Sequence, residues 1–331
     1  MPQTVIHVLD PNQLDAAVLA AAAEVLRAGG LVAFPTETVY GLGANALDET
    51  AVARVFDAKG RPPNNPVIVH VADESDLSSV VGNWPENAQR LARRFWPGPL
   101  TLVLPRGPAI PDIVTAGGPT VAVRMPAHPV ARALIRAAGV PLAAPSANRS
   151  GELSPTFAEH VARGLAGRIE MILDGGPTQV GIESTVLDLS TSPPRLLRPG
   201  HISQTEIEAI IGPIARIESA NHDESAALPS PGLLAKHYAP RTPTECLGGS
   251  AGRVRELLRK GERVGWLTFE GEMDGAVAAH MPRDPTAYAV RLYAELHRLD
   301  QTGLSRIVVE KPPETDDWLA VRDRLKRAAM G

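Results

Sequence analysis

A chain of 331 residues, 44% hydrophobic and 21% charged, has the length of about two globular domains and the composition of a folded protein. Its 4% aromatic share leaves few rings for stacking bases, its one cysteine (Cys246) excludes an internal disulfide or a multi-cysteine metal site, and its longest apolar run, residues 16–23, is too short for a membrane span or a secretion signal. Residues 1–212 hold 16 basic and 20 acidic side chains and the remainder 17 of each, so neither part has a phosphate-backbone binder's basic excess, and we expect a soluble, cytoplasmic protein without tight nucleic-acid binding.

The first elements read as strand, helix, strand. Residues 4–9 are β-rich, residues 12–28 form an Ala/Leu helix stopped by Gly29-Gly30, and residues 31–34 form a short buried strand. Asp48 caps a helix through residue 58, broken by Gly60 and Pro62. A strand over 66–71 and a helix over 86–95 follow, then strands over 100–104 and 120–123. A helix over 130–138 precedes strands over 140–144, 169–173, 185–189 and 195–197. Ser203 and Glu206 have capping-box spacing and open a helix that ends at Gly212. Strands and helices alternate, but several strands follow one another directly, which predicts an α/β fold with a mixed sheet. The pattern lapses over 213–242, where Pro229-Ser230-Pro231-Gly232 and Pro240 mark an interdomain linker. Strands over 264–269 and 307–309, with helices near 253–260, 286–299 and 317–328, predict a smaller α/β unit after it.

The chain has no P-loop, no Gly-x-Ser-x-Gly elbow and no His-Glu-x-x-His. Gly41-Leu42-Gly43-Ala44-Asn45-Ala46 approaches a dinucleotide fingerprint, but its helix starts late and no acidic residue stands where a ribose would need one. Polar residues instead collect where strands end: Thr36 and Thr38 after residue 34, Arg124 after 120–123, Ser146 and Asn148 after 140–144, Ser184 before 185–189, and Arg198 after 195–197. His70 lies inside an apolar strand, and Lys59 is the only lysine in residues 1–212. Ligand sites of open α/β sheets gather at such ends. Lys59, Arg61, Arg124 and Arg198 converging there would suit a polyanion with a carboxylate. Each also has a plain structural reading: turn satisfaction for the threonines, Ser146 and Asn148, a core histidine for His70, surface ion pairs for the arginines. Pattern alone gives an α/β enzyme or binding protein for an anionic ligand.

Pro35-Thr36-Glu37-Thr38-Val39-Tyr40-Gly41-Leu42-Gly43 resembles the signature of the YrdC-like, threonylcarbamoyl-AMP synthase family. The resemblance continues, in order, through Lys59-Gly60-Arg61-Pro62, Asn65-Pro66, Trp96-Pro97-Gly98-Pro99-Leu100-Thr101, Val123-Arg124-Met125-Pro126, Ser146-Ala147-Asn148, Glu183-Ser184-Thr185-Val186 and Arg198-Pro199-Gly200. Ser230-Pro231-Gly232 and Lys236-His237-Tyr238-Ala239-Pro240 are similar to the linker of the longer, two-domain members. The resemblance implies a YrdC-like twisted mixed open sheet with flanking helices over 1–212, a linker or lid over 213–242, and a smaller Rossmann-like α/β domain over 243–331.

It also implies an enzyme that joins L-threonine, bicarbonate and ATP, with Mg2+ carried on the ATP, into L-threonylcarbamoyladenylate, releasing pyrophosphate. A tRNA threonylcarbamoyl transferase complex would receive the product. By the same resemblance, Thr38, His70, Arg124, Ala144 and Ser184 bind threonine. Arg61, Asn65, Thr120, Ser146, Ser154, Arg198 and Tyr238 contact ATP, and Lys59, Arg61, Ser146 and Asn148 form the family's catalytic tetrad. Two rivals use the same fold. An RNA-binding, translation-associated module is disfavoured by the even charge balance and the few aromatics. Carbamoyl transfer in metal-centre maturation normally brings cysteine-rich zinc modules, which one cysteine cannot supply.

Overall fold

The computed structural model describes residues 3–216 and 238–330. Its first part runs β1 (Val5–Val8), α1 (Ala16–Arg27), β2 (Val32–Phe34), β3 (Gly41–Asn45), α2 (Glu49–Lys59), β4 (Ile68–His70), α3 (Leu77–Val80), α4 (Glu86–Phe95) and β5 (Leu100–Pro105). It continues with α5 (Asp112–Thr115), β6 (Thr120–Arg124), α6 (Pro129–Ala138), β7 (Leu142–Ala143), α7 (Ala158–Leu165), β8 (Met171–Asp174), β9 (Thr185–Asp188), β10 (Arg195–Arg198), α8 (Gln204–Ile211) and β11 (Ala215–Arg216). Among the described residues these strands form one sheet in the order β1-β8-β2-β3-β7-β4-β6-β5-β9-β10-β11. It is mixed, as the direct strand successions predict: β4 and β6 are parallel, while β6 runs antiparallel to β5 and β9 to β10.

Local chemistry explains the elements. The Asp15 carboxylate accepts from the backbone N–H groups of Ala17 and Val18 and starts α1, which buries Leu19, Ala22, Ala23 and Leu26 on one stripe. Asp48 does the same for α2, and Gly60, in the left-handed region at φ 63°, ends it. The segment that approached a dinucleotide fingerprint is the strand β3, antiparallel to β2. Its glycine at 43 lets the Phe34 ring of β2 pack against bare backbone, because a Cβ there would lie 2.7 Å from that ring.

The second part consists of β12 (Thr244–Leu247), α9 (Ser250–Arg259), β13 (Val264–Thr268), β14 (Ala276–His280), α10 (Pro285–Asp300), β15 (Arg306–Glu310) and α11 (Leu319–Ala328). Its four strands are all parallel, in the order β12-β15-β13-β14. This sheet does not stand apart from the first part. Val39, Leu153, Ile182 and Tyr238 share one apolar cluster with Leu267, Tyr288, Leu292, Tyr293 and Leu296. Gly181 lets α10 approach closely: its φ is +79°, and a Cβ would sit 2.4 Å from the carbonyl oxygen of Ala289. Most of the expected linker, including Ser230-Pro231-Gly232 and Lys236-His237, lies outside the described residues. Just after it, the Ala239 N–H donates to Gly151 O at 3.0 Å.

Candidate active site

The strand register brings distant polar residues together. Parallel pairing of β4 and β6 sets His70 opposite Arg124. Ser184 precedes β9 and Arg198 closes its antiparallel neighbour β10, so both lie at the Arg124 end of the sheet. Ala144, Pro145 and Ser146 leave β7, and the Ala144 N–H donates to Ile68 O of β4 at 2.9 Å. A cavity of about 50 Å3 opens here, lined by Thr36, Thr38, Arg61, His70, Arg124, Ala144, Ser146, Glu183, Ser184, Arg198 and Tyr238. Tyr238 takes a left-handed backbone conformation at φ 62°, a cost for a bulky residue, while its ring is buried against the cavity.

Each cation is held in place by its neighbours. Arg61 donates from Nε to Asn65 O at 2.9 Å and from Nη2 to Asn65 Oδ1 at 2.7 Å and Pro66 O at 2.6 Å. Burial first, and the Arg198 charge with it, lowers its pKa to about 10, which still leaves it positive at neutral pH. Arg198 donates from Nε to Ser184 O at 3.0 Å, from Nη2 to Ser184 Oγ at 3.1 Å and from Nη1 to Tyr238 Oη at 3.3 Å. Arg124 donates from Nε to Gly98 O at 3.2 Å and from Nη1 to Thr38 Oγ1 at 3.0 Å, while Nη2 lies 2.6 Å from Glu37 Oε1. Burial, then the Arg124 charge, lowers the His70 pKa to about 3, so its imidazole is neutral.

Several residues expected at the site stand behind this wall. Lys59 Nζ is buried and donates to Ser146 O and Asn148 O, both at 2.6 Å, so it fixes the loop that carries Ser146. Burial, with Arg61 adding, pushes its ammonium pKa well below the ordinary value. Asn148 donates its amide to Arg149 O at 3.0 Å and Glu152 O at 2.8 Å and shapes the same loop. Ser154 donates to the Glu183 carboxylate at 2.5 Å. Thr120 lines a second cavity of about 270 Å3, with Pro66, Ala122, Asp188, Ser190 and Arg195.

Buried polar atoms without a hydrogen bond are rare in folded proteins. Here His70 Nδ1 and Arg124 Nη2, on residues that line the first cavity, are among them, as are Asn65 Nδ2 beside Arg61 and Glu37 Oε1 beside Arg124. Among the described residues no group of three or more His, Cys, Asp or Glu is placed to hold a metal ion. The cavity offers guanidinium charge from Arg61, Arg124 and Arg198, neutral polar groups and the buried Glu183 carboxylate. Sequence reasoning missed Glu37 and Glu183 as site residues although both lie inside motifs it singled out. It also missed Tyr293 and Arg324, which reach Glu183 from the second part and carry no signal in the sequence.

The geometry has a counterpart in known proteins. A family model described as "Telomere recombination" matches residues 24–200, and one described as "Threonylcarbamoyl-AMP synthase, C-terminal domain" matches residues 202–330. The threonylcarbamoyl-AMP synthase of Bacillus subtilis is 47% identical over 337 aligned positions, covering 98% of this chain and 97% of that protein. That of Pyrococcus abyssi is 47% identical over 317 positions, covering 93% of each. The crystal structure of P. abyssi Sua5 complexed with L-threonine superposes with a TM-score of 0.92 at 43% identity, covering 99% of this chain and 98% of that one.

Proposed function

Because this chain belongs to the threonylcarbamoyl-AMP synthase family, we propose that it converts L-threonine, bicarbonate and ATP into L-threonylcarbamoyladenylate, pyrophosphate and water, the first step of threonylcarbamoyl-adenosine formation in tRNA. The observation that carries this reading is the single cavity in which Thr38, His70, Arg124, Ala144 and Ser184 meet Arg61, Ser146, Arg198 and Tyr238. The first five take threonine. Arg124 has spent only two of its five N–H donors on well-directed hydrogen bonds, so it can also bind a carboxylate. Neutral His70, with Nδ1 unpaired, suits the amine or hydroxyl.

ATP takes Arg61, Arg198, Ser146, Tyr238 and the unpaired Nδ2 of Asn65. Thr120, Ala122 and Arg124 share one face of β6, and four residues of strand span about 13 Å. That separation lets the nucleoside end lie in the cavity beside Thr120 while the α-phosphate meets threonine near Arg124. Ser154 acts through Glu183. Mg2+ arrives on the ATP phosphates as the substrate's own counter-ion.

The threonine amine adds to bicarbonate or carbon dioxide to give a carbamate, with water released from bicarbonate. A carbamate oxygen then attacks the α-phosphorus and pyrophosphate leaves. No side chain becomes covalently attached, so catalysis is positioning and electrostatic stabilisation by Arg61 and Arg198, with Lys59 and Asn148 holding Ser146 in register. The carbamate decomposes in water, which gives residues 213–242 a use as a lid joining the catalytic domain, 1–212, to the C-terminal domain, 243–331. Tyr238, at the end of that segment and against the cavity, supports this. The enzyme works in the cytoplasm and hands its product to a tRNA threonylcarbamoyl transferase complex. The test is pyrophosphate release from ATP with single omissions. Release should need threonine and bicarbonate together, and release indifferent to threonine would overturn the reading.

A further inference from the structure

Two residues of the second part reach the cavity wall, and the proposed reaction uses neither. Glu183, immediately before Ser184, lines the cavity and is buried. Arg324 of α11, fully buried, donates from Nε to Glu183 Oε2 at 2.7 Å and from Nη2 to Glu183 O at 3.4 Å. Asp323 accepts from Arg324 Nη1 at 2.7 Å and fixes the guanidinium. Tyr293 of α10 places its hydroxyl 3.2 and 3.1 Å from the two carboxylate oxygens. The Arg324 guanidinium also lies over the Tyr238 ring, 5.4 Å from its centroid.

A buried carboxylate must be paired and hydrogen-bonded. Burial drives the Glu183 carboxyl up, but Arg324, then Arg198 and the Ser154 hydroxyl, outweigh it and hold it below the usual range. If Arg324 were missing, the strongest remaining cation on Glu183 would be Arg198. That arginine orients Ser184 and Tyr238, and it is one of the two, with Arg61, proposed to meet ATP.

We propose that Arg324 and Tyr293 are positioning residues for adenylate synthesis: from the second part they hold the Glu183 carboxylate, so that Ser154, Ser184 and Tyr238 keep their places and Arg198 keeps its orientation at the cavity. The second domain then completes the active site as well as packing on it. This rests on the synthase reading above, and the experiment separates the two. Threonine-dependent pyrophosphate release by the full-length parent tests that reading alone.

With the parent active, KM for ATP, KM for threonine, kcat and the thermal midpoint are measured for Tyr293→Phe and Arg324→Met. Tyr293→Phe removes one oxygen, and we expect both KM values to rise about threefold to tenfold with the midpoint close to the parent's. Arg324→Met, which leaves Glu183 to Arg198, should raise the ATP KM at least about thirtyfold. Arg324→Lys, which keeps the charge but not the fork, should fall between parent and Met. Should Arg324→Met fail to fold, Tyr293→Phe decides. Parent-like KM values in Tyr293→Phe, or a fall in kcat alone that tracks the fraction of folded protein, would overturn the proposal.

Discussion

Arg124 with Glu37 and Arg324 with Glu183 are the same chemical pair, 2.6 and 2.7 Å apart and both nearly out of water, yet they are built differently. Arg324 finds well-directed acceptors for Nε, Nη1 and Nη2, and Glu183 receives further hydrogen bonds from Ser154 and Tyr293. Arg124 and Glu37 touch without alignment, so Arg124 Nη2 and Glu37 Oε1 both count among the buried atoms lacking a hydrogen bond. The first pair is complete within the protein and fixes a wall. In the second, Arg124 lines the cavity with bonding capacity left over, the state a cation needs if an anion is to reach it.

The sharpest way to break this comparison is to neutralise each carboxylate in turn. Glu183→Gln strands a sealed guanidinium and should cost on the order of 3–5 kcal/mol of stability. Glu37→Gln should cost less than half as much, because Arg124 opens on the cavity. Calorimetry of both variants checks this, and equal losses would erase the distinction. A smaller effect is expected on binding. Arg124→Ala should raise the threonine KM about tenfold to a hundredfold, for a charge-assisted contact of about 1.5–3 kcal/mol, and the ATP KM less. Equal weakening of both substrates would take Arg124 out of the threonine site.

The two pairs also divide what the sequence makes readable. Thr38, Arg124, Ser184 and Arg198 stand at strand ends, so strand periodicity alone points at them. Their agreement with the family's motifs then gives each a role. The register that sets His70 opposite Arg124 comes from the parallel pairing of β4 with β6, which the strand ranges alone do not give. Arg324 is invisible by the same logic. It sits in Arg322-Asp323-Arg324-Leu325-Lys326-Arg327, which reads as a solvated charged helix face, and only the packing of α11 against the first part buries it. β3 escaped because its glycines read as part of a dinucleotide fingerprint, whereas Gly43 makes room for the Phe34 ring. Thr120 carries no signal of its own, and only the structure puts it in a different cavity from Arg124.

Lys59 is another buried cation, and it has backbone carbonyls where Arg124 and Arg324 have carboxylates. Its pocket is cut for a compact head group, two acceptors at 2.6 Å from one nitrogen. A guanidinium keeps the charge but is planar and larger, so Lys59→Arg should displace the Ser146 loop. We expect a folded protein whose turnover falls at least about tenfold, about 1.4 kcal/mol of transition-state stabilisation. Near-parental turnover would mean that charge alone matters there and that the loop tolerates movement.

The seam between the two parts has a neutral contact beside the Glu183 pair, and it gives the mildest test. His160 of α7 and His297 of α10 stack with centroids 3.8 Å apart at 23°, and His297 Nε2 lies 3.1 Å from Ser154 O. Burial, then the facing His297 and Arg163, lowers the His160 pKa to about 3. Burial lowers that of His297 to about 4, with Arg163 adding while the Ser154 carbonyl, Asp300 and Glu152 oppose. Unfolded, both rings titrate near 6.5. Below that value the unfolded chain binds protons that the folded protein refuses, so stability is present above pH 6.5 and is lost as the pH falls toward 4. Between pH 7 and 5.5 one such histidine should cost about 1 kcal/mol. His297→Gln keeps a donor for Ser154 O and cannot titrate, so its stability should fall less steeply than the parent's over that interval. Parallel profiles would mean that the ring takes up its proton without leaving the seam. The acid sensitivity of the interface would then come from groups other than His297.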